Sequence, residues 1–162
     1  MPQPSLGRKI LAIDLGTRRV GLAVTDDDGV VPLPVGTLPE ERKASDRLRR
    51  IVRLAAERGV DAFIVGYPLE SSGVVGQSAL AARTFAERLA DRTRKPVTLI
   101  DERLSTVEAS ELIAQSGQRG REAVDARDTI AALVLLRAFL DGARGEQILP
   151  HEARGESDPT LP

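Results

Sequence analysis

Two periods of hydrophobic and polar positions alternate along the chain. Lys9 to Leu15 is an apolar run, Val20 to Thr25 a second, and Val31 to Thr37 a weaker third that Pro32 and Pro34 confine to a sheet edge. Turn sequences at Gly16-Thr17-Arg18-Arg19 and Asp26-Asp27-Asp28-Gly29 join them, which predicts a three-stranded antiparallel meander. From Glu40 to Gly59 the period lengthens, with Leu48, Ile51, Val52, Leu54 and Ala55 at helical spacing and Gly59 as a stop. Ala62 to Gly66 then reads as a short central strand buried on both faces. Ser78 to Arg92 predicts an alanine-rich helix carrying Leu80, Phe85 and Leu89, and Val97 to Ile100 a further parallel strand. Two more helices are expected, from roughly Thr106 to Gln115 and from Asp125 or Asp128 to Asp141.

Three meander strands followed by alternating helix and strand give an α/β fold: a mixed five-stranded sheet with helices on both faces. That order fits a ribonuclease-H-like architecture. A Rossmann arrangement would need helices between the first strands, where only tight turns stand. The 162 residues, 41% of them hydrophobic, suffice for one complete core. Residues 9–142 are therefore expected as a single domain, behind an N-terminal extension over 1–8. Beyond Gly142 periodicity stops, and 143–162 is expected to be a mobile tail.

No stretch of about eighteen apolar residues occurs, and the N-terminus lacks the apolar core of a signal peptide, so a cytoplasmic protein with no membrane partner is expected. Cysteine is absent, which leaves oxygen ligands or the single His151 for any metal. A net charge of -1 argues against a protein that coats nucleic acid unselectively. Of the 23 cationic residues only Lys9, Lys43 and Lys95 are lysine, a bias that genome composition explains as readily as phosphate chemistry. Tyr67, Phe63, Phe85 and Phe139 are the only rings, too few for a broad base-stacking platform.

Candidate chemistry lies in acids set against apolar runs. Asp14 interrupts Ile10-Leu-Ala-Ile-Asp-Leu15, where an uncompensated carboxylate carries a heavy desolvation cost. Val97-Thr-Leu-Ile-Asp101-Glu102 puts two more acids at the C-terminal end of a parallel strand, the edge where open sheets gather ligands. Asp128 is expected in the first turn of the last helix, ahead of the apolar face of Ala131, Ala132, Val134, Leu135 and Leu136. Converging hard oxygens suit Mg²⁺ or Mn²⁺, and two ions about 3.5–4 Å apart would serve phosphodiester hydrolysis. Taken singly, Asp128 or Asp125 is also explained as a helix cap, and Asp101 or Glu102 as an ion-pair partner of Arg103.

The phrases Ala12-Ile-Asp-Leu-Gly-Thr-Arg-Arg-Val-Gly-Leu-Ala-Val24, Ile64-Val-Gly-Tyr-Pro-Leu69, Asp101-Glu-Arg-Leu-Ser-Thr-Val-Glu-Ala109 and Asp128-Thr-Ile-Ala-Ala-Leu-Val-Leu-Leu136 together resemble the YqgF/RuvX family, from about residue 9 to 141. This resemblance implies a RuvC-like member of the ribonuclease-H superfamily whose family acids fall on Asp14, Glu102 and Asp128, with Asp101 as a further possible metal ligand. It also implies a nuclease, either one maturing the 5′ end of pre-16S ribosomal RNA or a Holliday junction resolvase. Glu70-Ser-Ser-Gly73 departs from the family, which carries an asparagine and an Asp-Gly pair there.

Arg18, Arg19 and Arg103, one to five residues from these acids, are the candidate phosphate grips; Arg119 and Arg121 form a second strip. Thr17, and Thr106 where capping does not claim it, are candidates to orient water or phosphate. The expected partner is structured RNA or branched DNA, bound by a monomer or a homodimer; paired cuts in a four-way junction would require the dimer. A nucleotide-binding protein of the actin and sugar-kinase type is the competing class, since Asp14-Leu-Gly-Thr17 also begins a phosphate-binding hairpin in that group. Such proteins bind nucleotide between two lobes, and this chain has length for one.

Overall fold

The computed structural model describes residues 8–16, 19–39, 41–67, 76–101 and 121–151, apart from the side chains of 121–126. Its elements are β1 (Ile10–Leu15), β2 (Val20–Thr25), β3 (Pro32–Leu38), α1 (Ala44–Arg58), β4 (Ala62–Tyr67), α2 (Gln77–Thr93), β5 (Val97–Asp101), α3 (Arg121–Leu140) and β6 (Glu146–Ile148). The helix expected over Thr106 to Gln115 lies outside the described residues.

The sheet runs β3-β2-β1-β4-β5-β6. The first three strands form the antiparallel meander, β4 and β5 continue parallel to β1, and proline-bearing β3 takes the edge. The strand count is six rather than five. Glu146–Ile148, within the segment expected to be a tail, pairs antiparallel with β5. Three residues are too few to show a period of two, so patterning could not find this strand.

Pleating sends alternate residues to opposite faces, and the two faces bury separate cores. Leu11, Ile13, Leu22, Phe63, Val65 and Leu99 pack under α1 and α2, against Leu48, Ile51, Phe85 and Leu89. Ile10, Ala12, Ala23, Ala62, Ile64 and Ile100 pack under α3, against Ala132, Leu135 and Leu136. The second set is rich in alanine, which brings the helix close to the sheet. At Gly21 the approach is closest: a Cβ built there would fall 1.9 Å from the backbone oxygen of Asp128. Only a residue without a side chain fits.

Smaller contacts fix the loops. The Asp26 carboxylate accepts the N–H groups of Val30 at 2.8 Å and Val31 at 3.0 Å, which closes the β2–β3 turn and lowers the Asp26 pKa, chiefly through Val31. Buried Thr25 accepts the N–H of Ile10 through Oγ1 at 2.9 Å. The short strand β6 is tied to α2 by Arg83, whose guanidinium grips both carboxylate oxygens of Glu146 and lies 5.9 Å from the centre of the Tyr67 ring. The hydrogen bonds from Arg83 hold the Glu146 carboxyl below the usual glutamate range, and Glu146 in turn raises the guanidinium.

Two predictions follow from this packing. Gly21→Ala should lower the unfolding free energy by about 1–3 kcal/mol, the usual scale of overpacking, seen as a reduced urea midpoint at unchanged slope; an unaltered midpoint would show that α3 yields freely. Glu146→Gln should cost about 0.5–1 kcal/mol at neutral pH, because the pair is solvent-screened. Since the folded pKa of Glu146 is depressed, that stabilisation exists above the unfolded value and fades as pH falls through the lower folded value. Thermal unfolding of the two proteins should therefore differ at pH 7 and converge well below about pH 4.

Candidate active site

Asp14 occupies the fifth position of β1, half-buried, with Gly21 opposite it on β2. Directly paired residues project to the same face. Alternation along β1 therefore sets the carboxylate of Asp14 beside Ile10 and Ala12, on the face covered by α3. Gly21 is also where the backbone of Asp128 rests. With paired Cα atoms about 4.5–5.5 Å apart, Asp128 is placed next to Asp14 across one missing side chain.

The helix changes the meaning of Asp128. It was expected in a first turn, where capping would explain it. In the structure α3 starts at Arg121, so Asp128 lies about two turns inside and is half-buried. Its position over the sheet replaces the cap as the explanation. The early start has a local cause: Arg121-Glu-Ala-Val-Asp-Ala-Arg127 is composed largely of strong helix formers, although the apolar face begins only later.

Asp101 ends β5 at the same edge of the sheet but on the other face. It pairs with Tyr67 and shares the phase of Val97 and Leu99, which point to α1 and α2, whereas Ile100 points to α3. The expectation that Asp101 could join the metal ligands therefore meets an obstacle in the pleat, which turns it away from Asp14. His151 is also remote: its N–H donates to Asp91 near the end of α2, at the opposite edge of the sheet.

Arg19 closes the β1–β2 hairpin beside this edge, half-buried, its carbonyl accepting the N–H of Gly16 at 2.9 Å. A Cβ on Gly16 would come within 2.7 Å of that carbonyl oxygen, so glycine is what lets the turn pass so close to Asp14. Glu102, Thr17, Arg18, Arg103, Thr106 and Arg119 lie outside the described residues, as do the side chains of Arg121 and Asp125. Of the expected site the structure thus sets the backbone of Asp128 against Gly21, the strand partner of Asp14, with Arg19 at the same edge. No group of three metal-binding side chains occurs among the described residues. The donor chemistry nonetheless suits a hard divalent ion: Asp14 and Asp128 offer carboxylate oxygens from segments packed at the carboxyl edge of a parallel pair of strands, and the chain has no cysteine.

Residues outside the expected set also reach this edge. A cleft of about 410 Å³ opens on the α1 and α2 face, beginning at Leu15 and Gly16 and bordered by Arg47 and Arg88. The signal for it lay in the arginine-rich run from Arg42 to Arg58, which reads as an ordinary solvated helix face until its surroundings are known.

Comparison with known proteins agrees with this fold. A chain of Thermus thermophilus RuvC, solved in complex with a Holliday junction substrate, superposes with a TM-score of 0.55 at 15% identity, covering 86% of this chain and 99% of that one. Among curated relatives, a protein of Clavibacter michiganensis named "Putative pre-16S rRNA nuclease" is 41% identical over 134 residues, 83% of each chain. Another of that name from Chloroflexus aurantiacus is 36% identical over 152 residues, 92% of this chain and 97% of the relative. The family model described as RuvX, Holliday junction resolvase, matches residues 8–142, and the chain belongs to this family.

Proposed function

We propose that the protein is a divalent-metal-dependent nuclease whose substrate is precursor 16S ribosomal RNA, hydrolysed at a phosphodiester bond during maturation of the 5′ end. The observation that carries the reading is the backbone of Asp128 packed on Gly21, the strand partner of Asp14, in a chain of the RuvX family. Carboxylates from a strand and a helix packed at one small patch supply the hard oxygen donors that a divalent cation takes. Glu102, next in sequence after β5, is the third member of the proposed site; the even-numbered positions of that strand are the ones turned toward Asp14. Bound by these carboxylates, Mg²⁺ or Mn²⁺ would lower the pKa of the attacking water and neutralise the leaving oxygen. Two ions match a three-carboxylate set.

The protein's own residues do the rest. Asp14 and Asp128 fix the position of the reacting centre because both stand on rigid elements. Arg19, with Arg18 beside it in sequence and Arg103 beside Glu102, draws the phosphate to that edge; Thr17 orients it, and Arg119 and Arg121 extend the contact. Ribosomal RNA is favoured by the names of relatives that match over most of their length. The family description favours a second reading, cleavage of branched DNA by the same acids.

The test is cleavage of a pre-16S 5′-leader RNA and of a four-way DNA junction by wild type, Asp14→Asn and Asp128→Asn, with Mg²⁺, Mn²⁺ or EDTA. Wild type should cleave the RNA only with metal, and each variant should lose on the order of 100-fold or more in turnover, the scale for removal of one electrostatic stabiliser of a transition state. Asp14→Asn with full activity would remove the site. Cleavage of the junction but not of the RNA would transfer the assignment to DNA.

A further inference from the structure

The cleft between α1 and α2 lies on the opposite face of the sheet from Asp14, yet starts one residue further along the same strand, at Leu15 and Gly16. Its floor is apolar, formed by Leu15, Leu48 and Phe85. Its borders are cationic and hydroxylic, with Arg47 from α1, and Arg88, Ser78 and Thr84 from α2. Among the described residues, the buried Nε atom of Arg47 has no hydrogen-bond partner. A buried guanidinium N–H left without an acceptor is costly, and an anion entering the cleft would satisfy it.

The charge around the cleft has the matching sign. Arg42, Lys43, Arg47, Arg49, Arg50, Arg53 and Arg58 stand against only Glu41, Asp46 and Glu57 between residues 41 and 58, in a chain whose net charge is -1. Arg49 and Arg50 are engaged with Asp46 and Glu41 at 3.6 and 3.0 Å, whereas Arg42, Lys43, Arg53 and Arg58 are exposed to solvent. Such segregation makes a positive field on one face of an otherwise balanced protein.

We propose that this cleft seats one unpaired nucleotide of the substrate strand, its phosphate between Arg47 and Arg88 and its ribose and base over Leu15, Leu48 and Phe85. The volume, about 410 Å³, is at the lower end of the range of small-ligand pockets and admits one nucleotide but not a duplex. Ser78 and Thr84 supply hydroxyls for the sugar. The strand would then pass around the β1–β2 hairpin, from the cleft on one face of the sheet to Asp14 on the other. This rests on the nuclease reading and adds to it a single-stranded segment next to the cut.

The experiment measures anisotropy of a labelled single-stranded RNA 12-mer, and of the same sequence as a blunt duplex, with wild type, Arg47→Ala, Arg88→Ala and Arg58→Ala, alongside steady-state cleavage. Arg88 is exposed, so its replacement tests the cleft even if Arg47→Ala folds poorly. Both cleft variants should weaken binding of the single strand about tenfold, the scale of one lost charge-assisted hydrogen bond, and lessen its salt dependence. Arg58→Ala, at the far end of α1, should change it less than about twofold. In cleavage the cleft variants should raise KM and spare kcat, while Asp14→Asn should spare single-strand affinity and lose kcat. Binding by the cleft variants equal to that by Arg58→Ala, or equal losses on single strand and duplex, would overturn the seat. Full turnover by Asp14→Asn would instead overturn the catalytic reading and leave the binding result to stand on its own.

Discussion

The contact between the backbone of Asp128 and the α-carbon of Gly21 governs the geometry of the functional edge. A helix normally stands off a sheet by the combined depth of two layers of side chains. Here one layer is missing at a single point, and the surrounding positions, Ala12, Ala23 and Ala132, are small enough for the helix to settle there. The apolar burial of Leu135 and Leu136 further along α3 holds the helix in that position. Packing thus sets how closely Asp128 approaches the strands that carry Gly21 and Asp14.

This division of labour runs through the sheet. One face, under α3, is shaped by small residues and ends in acids; the other, under α1 and α2, is shaped by large ones and ends in a cleft with arginine borders. Both meet at the carboxyl ends of β1 and β4, where successive residues of one strand serve opposite sides. Asp14 and Leu15 are adjacent in sequence and separated only by the pleat. The same pleat explains why Asp101, as close in sequence to the expected site as Glu102, faces Tyr67 and the other core.

What could be read beforehand follows from the range of each signal. The meander, the edge position of β3, the stop at Gly59 and the helix α2 depend on local chemistry, and all stand within a residue or two of expectation. Asp14 was conspicuous because a lone acid in an apolar strand violates a local rule. Asp128 was not, since its role depends on a glycine far away in sequence. Its apparent place in a first turn came from taking the start of the apolar face for the start of the helix; α3 is longer because strong helix formers extend it where no core is contacted. The strand β6 was hidden for another reason: it is held by pairing with β5 and by Arg83 gripping Glu146, interactions that leave no periodic trace.

Charge was the least legible property of all. A net value of -1 suggests a surface indifferent to polyanions, yet that number is an average over segments with opposite roles. Acids that converge on a cation must be balanced elsewhere if a phosphate backbone is to approach, for the field of an acidic edge repels its own substrate. Arg47 and Arg88 stand across the thickness of the sheet from Asp14, a second set of cations apart from Arg19 at the edge itself. A balanced total is thus what a nuclease of this plan requires, and it is the distribution of charge between the two faces, not the sum, that reports on nucleic acid.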